Sequence, residues 1–424
     1  MKIHRIIFCI VAFLSLGTLV GHSADWPIWR GPDRNDTSPD TGLLKKWPAS
    51  GPKKLWTYDQ AGFGYAGFSI VDGVLFTMGT RDADWYVIAL EVETGKEKWA
   101  AKVAPDDQKG YNTGWGHGPR GTPTVIEGKV YALGPKGILA CLDAVTGSAV
   151  WQTSLTADYQ GKVPGWGYSE SPLVEGKMVV VTPGGPEGGS VLALDKATGA
   201  KLWHSKGLTG SAKDNAHYSS AQLIEWNGKR QILQLFQNTI VSLDAGSGAL
   251  IWKTPWKNGA TAVIPTPIFD KGYLYVTSGY NAGCELFQVG SDDKVTSVWD
   301  NKEMKNHHGG VVKLGDHVYG FSDGPGLSCQ EFLTGKRVWN QKSPTLNKGA
   351  VHLADGMLFC LNEGDGVVTL VEADPTSFKK LGEFTLQPQS KNRNPQGRIW
   401  THPVVLDGRL FLRDQEFIVC YQVK

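Results

Sequence analysis

Cysteine, net charge and helical periodicity are all scarce in this chain, and each shortage excludes a class of protein. Only 6 of the 424 residues are cysteines. Cys9 lies in an apolar N-terminal run, and the remaining odd set lacks the close pair spacing of a metal site. A disulfide framework or a cysteine zinc site is therefore not expected.

The formal net charge is +2 at pH 7, and no basic run is interleaved with aromatic residues. Nucleic acid is therefore excluded as a partner. No stretch beyond the N-terminal run repeats apolar residues at the period of a useful amphipathic helix. The 53 glycines, 22 prolines and 16 tryptophans instead favour many short strands joined by tight turns.

One stretch, Ala193-Leu-Asp-Lys-Ala-Thr-Gly-Ala-Lys-Leu-Trp203, recurs along the chain. Each copy has a small residue, a carboxylate two positions later, a Thr/Ser-Gly pair and a Trp four residues after the Gly. Clear copies occupy residues 89–99, 141–151, 193–203, 242–252 and 329–339. Degenerate copies occupy residues 289–299 and 371–381. Such a period, rich in Gly and Trp, is typical of a repeat architecture.

A second element precedes each copy: two apolar runs joined by a turn that ends in Gly, as in Phe68–Phe76 and Pro403–Leu412. It occurs eight times, and both elements are typical of β-hairpins. The last repeat stops after its third strand, whereas Lys53–Tyr58 is a spare strand. We therefore predict an all-β fold, an eight-bladed β-propeller of four-stranded antiparallel blades (residues 53–424) whose ring is closed by the N-terminal strand.

The repeat also assigns structural roles. The recurring tryptophans are expected to cover the seam to the neighbouring blade. Cys141 and Cys329 occupy the small-residue position of the repeat, so they are expected to be buried packing residues.

The N-terminal 52 residues divide into two parts. Residues 1–24 have basic Lys2 and Arg5, an apolar run and small residues near Ala24, which predicts a cleaved signal peptide, with an uncleaved anchor as the alternative. Residues 25–52 are predicted to form an extended strap that packs on the propeller. We expect a periplasmic or secreted protein that is not a lipoprotein, is a monomer, and has no transmembrane segment after cleavage.

The connections from each blade's last strand to the next blade's first strand end beside the central axis. Reading the same position in each connection gives Tyr65, Arg120, Ser169, Tyr218, Ile264, His307, Lys348 and Trp400, with Trp166, Glu170, His308, Arg398 and His402 nearby. Loops on a rigid scaffold concentrate binding residues. The site predicted from this cluster consists of Arg120, Trp166, Glu170, Tyr218, His307, Lys348, Arg398 and Trp400.

The cations and flat rings of this cluster suit a planar anionic ligand, an anionic oligosaccharide or an acidic peptide segment. A solvated channel mouth is the alternative. For Glu170, a metal-ligand role is weighed against an ion pair with Arg120, and Asp214 or Asn215 are considered beside it. His307 and His308, as neighbours on a strand, are expected to point to opposite faces and could bind one metal ion only from an irregular loop, so no metal site is predicted.

The Ala-x-Asp-x-x-Thr-Gly-x-x-x-Trp frame resembles the repeat of quinoprotein dehydrogenases, which bind pyrroloquinoline quinone (PQQ) on eight-bladed propellers. It is also similar to the repeat of a non-enzymatic propeller that helps to assemble outer-membrane proteins. The resemblance covers nearly all of residues 53–424, and the opening Asp25-Trp-Pro-Ile-Trp-Arg-Gly-Pro32 resembles that of exported PQQ-like propellers. It implies the fold strongly and the activity weakly, because the repeated residues hold the blades together.

For the enzyme, the resemblance implies PQQ with Ca²⁺, an adjacent Cys-Cys pair over the cofactor and an Asp base. This chain has no Cys-Cys dipeptide, and no base can be assigned. No cofactor follows from the residues alone. The leading hypothesis is an exported propeller that binds a ligand or a protein partner at its axial face and is not a complete dehydrogenase. The alternatives are a PQQ-dependent oxidoreductase acting on an alcohol or sugar, and a structural scaffold.

Overall fold

The computed structural model describes residues 24–256 and 263–424. The predicted signal peptide therefore lies outside the described residues, apart from Ala24. Across the described ranges, eight four-stranded antiparallel sheets follow one another along the chain, and one of them gains a short fifth strand. The prediction of an all-β, eight-bladed propeller is confirmed. No helix in these ranges is long and apolar enough to span a membrane.

The first strands belong to the strap, the ring closure and blades 1 to 4. In chain order they are β1 Thr37–Ser38, β2 Lys53–Tyr58, β3 Ser69–Val71, β4 Val74–Arg81, β5 Asp84–Glu91, β6 Glu97–Pro105, β7 Thr124–Ile126, β8 Lys129–Leu133, β9 Ile138–Asp143, β10 Ala149–Ser154, β11 Leu173–Glu175, β12 Met178–Val181, β13 Val191–Asp195, β14 Lys201–Ser205, β15 Gln222–Trp226, β16 Lys229–Leu235, β17 Thr239–Asp244 and β18 Leu250–Pro255.

The other strands complete blades 5 to 8, and a short 3-10 helix, Pro344–Leu346, precedes blade 7. They are β19 Ile268–Asp270, β20 Tyr273–Ser278, β21 Gly283–Val289, β22 Val295–Asn301, β23 Val311–Leu314, β24 His317–Ser322, β25 Gly326–Glu331, β26 Arg337–Gln341, β27 Gly349–Ala354, β28 Met357–Asn362, β29 Val367–Glu372, β30 Lys380–Thr385, β31 Val404–Leu406, β32 Arg409–Asp414 and β33 Phe417–Gln422.

The ring closes as predicted, because β2 supplies the missing outer strand of blade 8. It pairs antiparallel with β33, so that Trp56 lies opposite Cys420. This register matches that of blade 3, where Trp203 lies opposite Ala193. The first propeller strand in the sequence is thereby hydrogen-bonded to the last one, and the ring has no open end.

The seam between neighbouring blades is built from a Trp on one blade and a Gly on the next. The ring of Trp151 packs against Gly199 so closely that a Cβ there would approach it to 2.9 Å. The indole Nε1 of Trp151 donates to the carbonyl oxygen of Lys196, at 3.0 Å. Gly199 also has a φ of +73°, so the Thr-Gly turn needs glycine both for its backbone and for the neighbouring ring.

The same contact recurs around the ring, with Trp56 on Gly95, Trp99 on Gly147, Trp203 on Gly248 and Trp299 on Gly335. The predicted structural role of these tryptophans is confirmed. Blade 7 has Leu381 in place of its Trp, and there the strap supplies the ring, because Trp47 packs with Leu381 and Phe384 in the core between blades 7 and 8.

The cysteines fill the blades rather than the axis. Each of the five in the described residues is buried and free. Cys141 packs between Tyr131 and the core of blades 2 and 3, and burial raises the pKa of its thiol to about 11. The prediction that Cys141 and Cys329 are packing residues is confirmed.

The strap does not lie on the propeller as expected, because its first half is inserted into the central channel. Asp25 contacts the turn of blade 1, at the backbone nitrogen of Asp72, and Trp26 exchanges two backbone hydrogen bonds with Ile70. The chain then continues along the channel to Trp29, reverses direction and returns as β1, which pairs parallel with β27. It leaves by the face at which it entered, where Asp40 accepts from Gly408.

Inside the channel, the strap touches the first strand of each blade or the residues just before it. Its partners in blades 1 to 8 are, in order, Ile70, Val125, Pro172, Ala221, Thr266, Val311, Leu353 and His402. Arg30, Arg34 and Asp36 are almost completely buried there. The strap therefore closes the propeller's channel.

The seam contact gives a stability prediction. Replacing Trp151 with Ala removes a large ring between two blades, and we expect a loss of about 2–4 kcal/mol. The matched control is Val150→Ala, one residue away on the same strand but 45% exposed, which should change stability by less than about 0.5 kcal/mol. Denaturant midpoints report both, and equal shifts would contradict the seam role.

Candidate functional site

The candidate site is a cavity of about 370 Å³ on the axis of the propeller. It opens on the face where the connections between blades and the turns between the second and third strands of each blade emerge. Trp29, at the tip of the strap, lies among the lining residues. Since the strap fills the channel below, the cavity is a blind pocket with one mouth.

Two rings of side chains line the pocket. The upper ring holds the positions predicted from the interblade connections, and all eight of them line the cavity: Tyr65, Arg120, Ser169, Tyr218, Ile264, His307, Lys348 and Trp400. The lower ring lies two residues further along each connection and contributes Ser171, Ser220 and His402. Residues two apart on an extended chain share a face, which explains the two tiers.

The floor is made by Trp29 and the lower ring. The indole Nε1 of Trp29 donates to Thr266 Oγ1 at 3.1 Å, and its ring meets His402 edge to face at 4.7 Å between centroids. Ser171 Oγ accepts from the backbone of Thr122, and Ser220 Oγ accepts from the backbone of Ser171. Because each serine oxygen already accepts, its hydroxyl proton is available to a ligand.

One wall is a continuous series of rings. His307 and His308 stack with centroids 4.0 Å apart, and His308 lies 4.6 Å from Trp400. Trp400 in turn lies 5.1 Å from Tyr65 and 6.1 Å from Trp115. The expectation that the two histidines point apart is wrong, because they lie in the irregular segment before β23 rather than on the strand.

The cations of the site are held by neighbouring acceptors. The guanidinium of Arg120 donates to the carbonyl oxygens of Gly116 and Gly118, both at 2.9 Å, and lies over the Tyr65 ring at 5.4 Å. Arg398 is fixed in the same way by the carbonyls of Gln396 and Gly397. These bonds use carbonyls, so they orient both guanidiniums without neutralising their charge.

Lys348 stands between a histidine and a carboxylate. Its Nζ lies 2.7 Å from Nδ1 of His307 and 3.4 Å from Asp323. Lys348 has only donors, so it donates to that ring nitrogen and His307 is neutral. Burial, together with His308 and Lys348, lowers the pKa of His307 to about 2, so the ring stays neutral at physiological pH.

Glu170 does not join the predicted site. Its side chain is buried outside the pocket lining, where Oε1 accepts from the backbone of Thr182 and the neighbouring charge is Arg34 of the strap rather than Arg120. The reason is the alternation of an extended chain, since Ser169 faces the pocket and the next residue faces away. Burial raises the pKa of Glu170 to about 7.

Asp214 and Asn215 are structural as well. Asp214 accepts from Asn238 and Thr239 within blade 4, and Asn215 accepts from the backbone of Gly185. Neither lines the cavity.

Other lining residues come from turns and from the strap, which the sequence reasoning did not consider. Glu363, in the turn after β28, accepts from Trp400 Nε1 at 3.0 Å, and Tyr280 comes from the turn after β20. These turns leave the same face as the interblade connections, so the alternation of strand direction could have indicated them. For Trp29, no signal in the sequence indicates a place in the channel.

Comparison with known proteins agrees with this architecture. The PQQ_2 family, described as "Outer membrane protein assembly factor BamB", matches residues 83–341, more than half of the chain. The chain belongs to the PQQ_2 family. Its structure is similar to BamB from Moraxella catarrhalis, with a TM-score of 0.61, 16% identity, and coverage of 88% of this chain and 97% of that one.

PQQ_2 propellers are also related to alcohol dehydrogenases. The quinohemoprotein alcohol dehydrogenase of Comamonas testosteroni is 30% identical over 137 residues, 32% of this chain and 18% of the relative. The ADH-IIG enzyme of Pseudomonas putida is 30% identical over 34% of this chain and 20% of the enzyme. The solved ADHIIG structure gives a TM-score of 0.65 at 16% identity, covering 94% of this chain and 80% of that one. The aligned sequence thus spans a small part of these enzymes, and the structural match shows the fold.

The residues of this PQQ_2 propeller do not fit the calcium and cysteine parts of the quinoprotein site. In the described ranges, no group of three or more His, Cys, Asp or Glu side chains is placed to hold a metal ion. Glu363 is the one acidic residue among the described lining residues, and Trp400 already engages it. The described cysteines lie in the blades, away from the pocket.

The buried Glu170 gives a pH prediction. A raised folded-state pKa contributes stability that is present below the ordinary glutamate pKa of 4.5 and is lost as pH rises through about 7. We therefore expect Glu170→Gln, which keeps the oxygen facing Thr182, to gain stability relative to wild type as pH rises from 5 to 8. Unfolding midpoints at both pH values measure this gain. A constant difference between the two proteins would contradict it.

Proposed function

We propose that this chain is an exported PQQ_2 propeller that binds a small anionic ligand with a flat face in its axial pocket and does not oxidise it. The observation that carries the proposal is the pairing of Arg120, Lys348 and Arg398 with a wall of aromatic rings around one blind cavity. Cationic donors favour carboxylate or sulfate groups, and the rings favour a flat partner.

The balance of charge in the pocket supports an anion. Two arginines and Lys348 face one carboxylate, Glu363, among the described lining residues. Asp323, outside the lining, lies 3.4 Å from the Nζ of Lys348. Burial alone would raise the pKa of Glu363. His308, Lys348 and Trp400 outweigh that effect and hold the pKa below its usual value. Glu363 therefore stays charged and bound to its neighbours, and it leaves the positive potential of both arginines available to a ligand.

The absence of oxidation is proposed because the acid–base groups are ill placed for it. Oxidation of an alcohol by hydride transfer needs a base within hydrogen-bond reach of the hydroxyl proton. His307 is already engaged as an acceptor by Lys348, and the Nε2 of His402 donates to the carbonyl of His308. Glu363 is engaged by an indole. His307 and His402 therefore offer no free ring nitrogen toward the pocket, and Glu363 is held against the wall by Trp400 and lies 3.7 Å from His308 Nδ1.

Because the family is described as an assembly factor, a protein partner that binds at the same face is the alternative to a small ligand. Tyr280 and Trp115 are exposed at the mouth, 54% and 38% respectively, as partner-binding aromatics often are. The small-ligand form of the proposal is preferred because the cavity is deep, blind and charged, whereas a protein surface is more often recognised by a flat patch.

The proposal predicts salt-sensitive binding that depends on Arg120. We expect 2,6-naphthalenedicarboxylate, a flat dianion, to bind in isothermal titration calorimetry. Arg120→Gln should weaken it about 10- to 100-fold, the effect of losing one charge-assisted hydrogen bond. Trp400→Ala should weaken it as well, whereas Trp400→Phe should retain most of the affinity. The matched control is Arg337→Gln, an arginine on the outer strand of blade 6 that pairs with Glu303.

Two results would overturn the proposal. If the Arg120 and Arg337 variants bind alike, the pocket is not the binding site. If the protein loaded with PQQ and Ca²⁺ reduces a dye with an alcohol or sugar as donor, the non-catalytic part is wrong. Unchanged pull-down partners in the Arg120→Gln and Trp400→Ala variants would remove a protein partner from the axial face.

A further inference from the structure

The blind shape of the pocket restricts how a long ligand can enter. The strap contacts all eight blades inside the channel, and its buried Arg30, Arg34 and Asp36 leave no passage to the opposite face. Trp29 closes the bottom of the pocket and is held there by Thr266 and His402. A polymer can therefore present only its end to this site, because an interior segment would need a second opening.

The mouth of the pocket carries exposed aromatic surface. Tyr280 is 54% exposed and has a φ of +51°, a left-handed backbone that is rare for a bulky residue. Its ring nevertheless lies 4.5 Å from His307, edge to face. Strained, exposed aromatic residues cluster at binding sites. Trp115 offers a second exposed ring, 6.1 Å from Trp400.

The polar groups of the pocket match hydroxyl-rich rings better than peptides. Ser171 and Ser220 have hydroxyl protons free to donate, because their oxygens accept backbone N–H groups. Among the described lining residues, Ile264 is the one aliphatic side chain, so the apolar surface of the pocket consists mainly of flat aromatic rings. A pyranose ring, in contrast, has a flat face for the indoles and hydroxyls for the serines.

We infer that the site binds the end of an acidic saccharide chain, with the terminal charged sugar in the blind pocket and the next sugar on Tyr280. This inference rests on the proposed function and specifies its ligand. The acidic group, a carboxylate or a sulfate ester, pairs with Arg120 and its neighbouring cations. The flat faces of the two sugars lie against the wall at Trp400 and the ring at the mouth.

The first test uses chain length. In calorimetry with galacturonic acid and its dimer and trimer, the dimer should bind about 10-fold more tightly than the monomer, since it adds one ring contact, and the trimer should gain little more. Long polygalacturonate should bind in proportion to its number of chain ends. Partial hydrolysis should therefore increase the number of protein molecules bound per gram. Binding that follows polymer mass alone would overturn end recognition.

The second test uses Tyr280. Tyr280→Ala should weaken binding of the dimer about 10-fold more than binding of the monomer, whereas Tyr280→Phe, which keeps the ring, should behave as wild type. If Tyr280→Ala weakens monomer and dimer equally, the second sugar is not on this residue and the inference fails. A sulfated disaccharide distinguishes the two acidic groups, and a neutral disaccharide should bind at least about 10-fold more weakly than either.

The remaining outcomes separate this inference from the proposed function. If naphthalenedicarboxylate binds in an Arg120-dependent way but no acidic saccharide does, the pocket binds anions and the saccharide inference is wrong. An acidic peptide that binds as tightly as digalacturonate would also overturn it. If no anion binds at all, both proposals fall.

Discussion

The contact between an outer-strand tryptophan and the glycine of the next blade is the constraint on which the rest of the structure depends. It fixes one blade against its neighbour at one height, as for Trp151 on Gly199, and its repetition around the ring keeps the inner strands at a common level. The axial side chains are consequently presented in tiers. Where blade 7 lacks the tryptophan, Trp47 of the strap packs at the same seam, so the strap belongs to the fold.

The strap also closes the central channel of the propeller below the pocket. Its buried charges find partners inside the channel, with Asp36 beside His352 and His402 and Arg34 on the carbonyls of blades 3 and 4. Unpaired charges in this position would be strongly destabilising, so the insertion depends on these bonds. The same segment carries Trp29 to the base of the pocket. One segment of chain thus contributes both to the packing of the channel and to the base of the pocket.

This chain shares its fold with the quinoproteins, but the side chains of its pocket differ from a quinoprotein site. The relatives share the blades and their seams, whereas the pocket side chains lie on connections that the fold leaves free to vary. Here those connections supply arginines, a lysine and aromatic rings, and the one carboxylate among the described lining residues is engaged by Trp400. This charge pattern is the basis of the proposal that the pocket binds an anion rather than a divalent cation.

The sequence by itself determined the ring, its closure by Lys53–Tyr58 and the connection positions that line the pocket, because a repeat fixes the place of each equivalent residue. Seven of the eight predicted site residues line the cavity, and Glu170 does not, since alternation along an extended chain turns it away from the axis. Only the tertiary structure decided that the strap fills the channel, that Trp29 forms the floor and that Glu363 and Tyr280 face the site. The positions of the strap and of Trp29 rest on contacts between residues hundreds of positions apart, such as Trp29 with Thr266, and no local pattern encodes them. Glu363 and Tyr280 lie in turns whose face follows from strand direction, but their contacts with Trp400 and His307 are made between neighbouring blades.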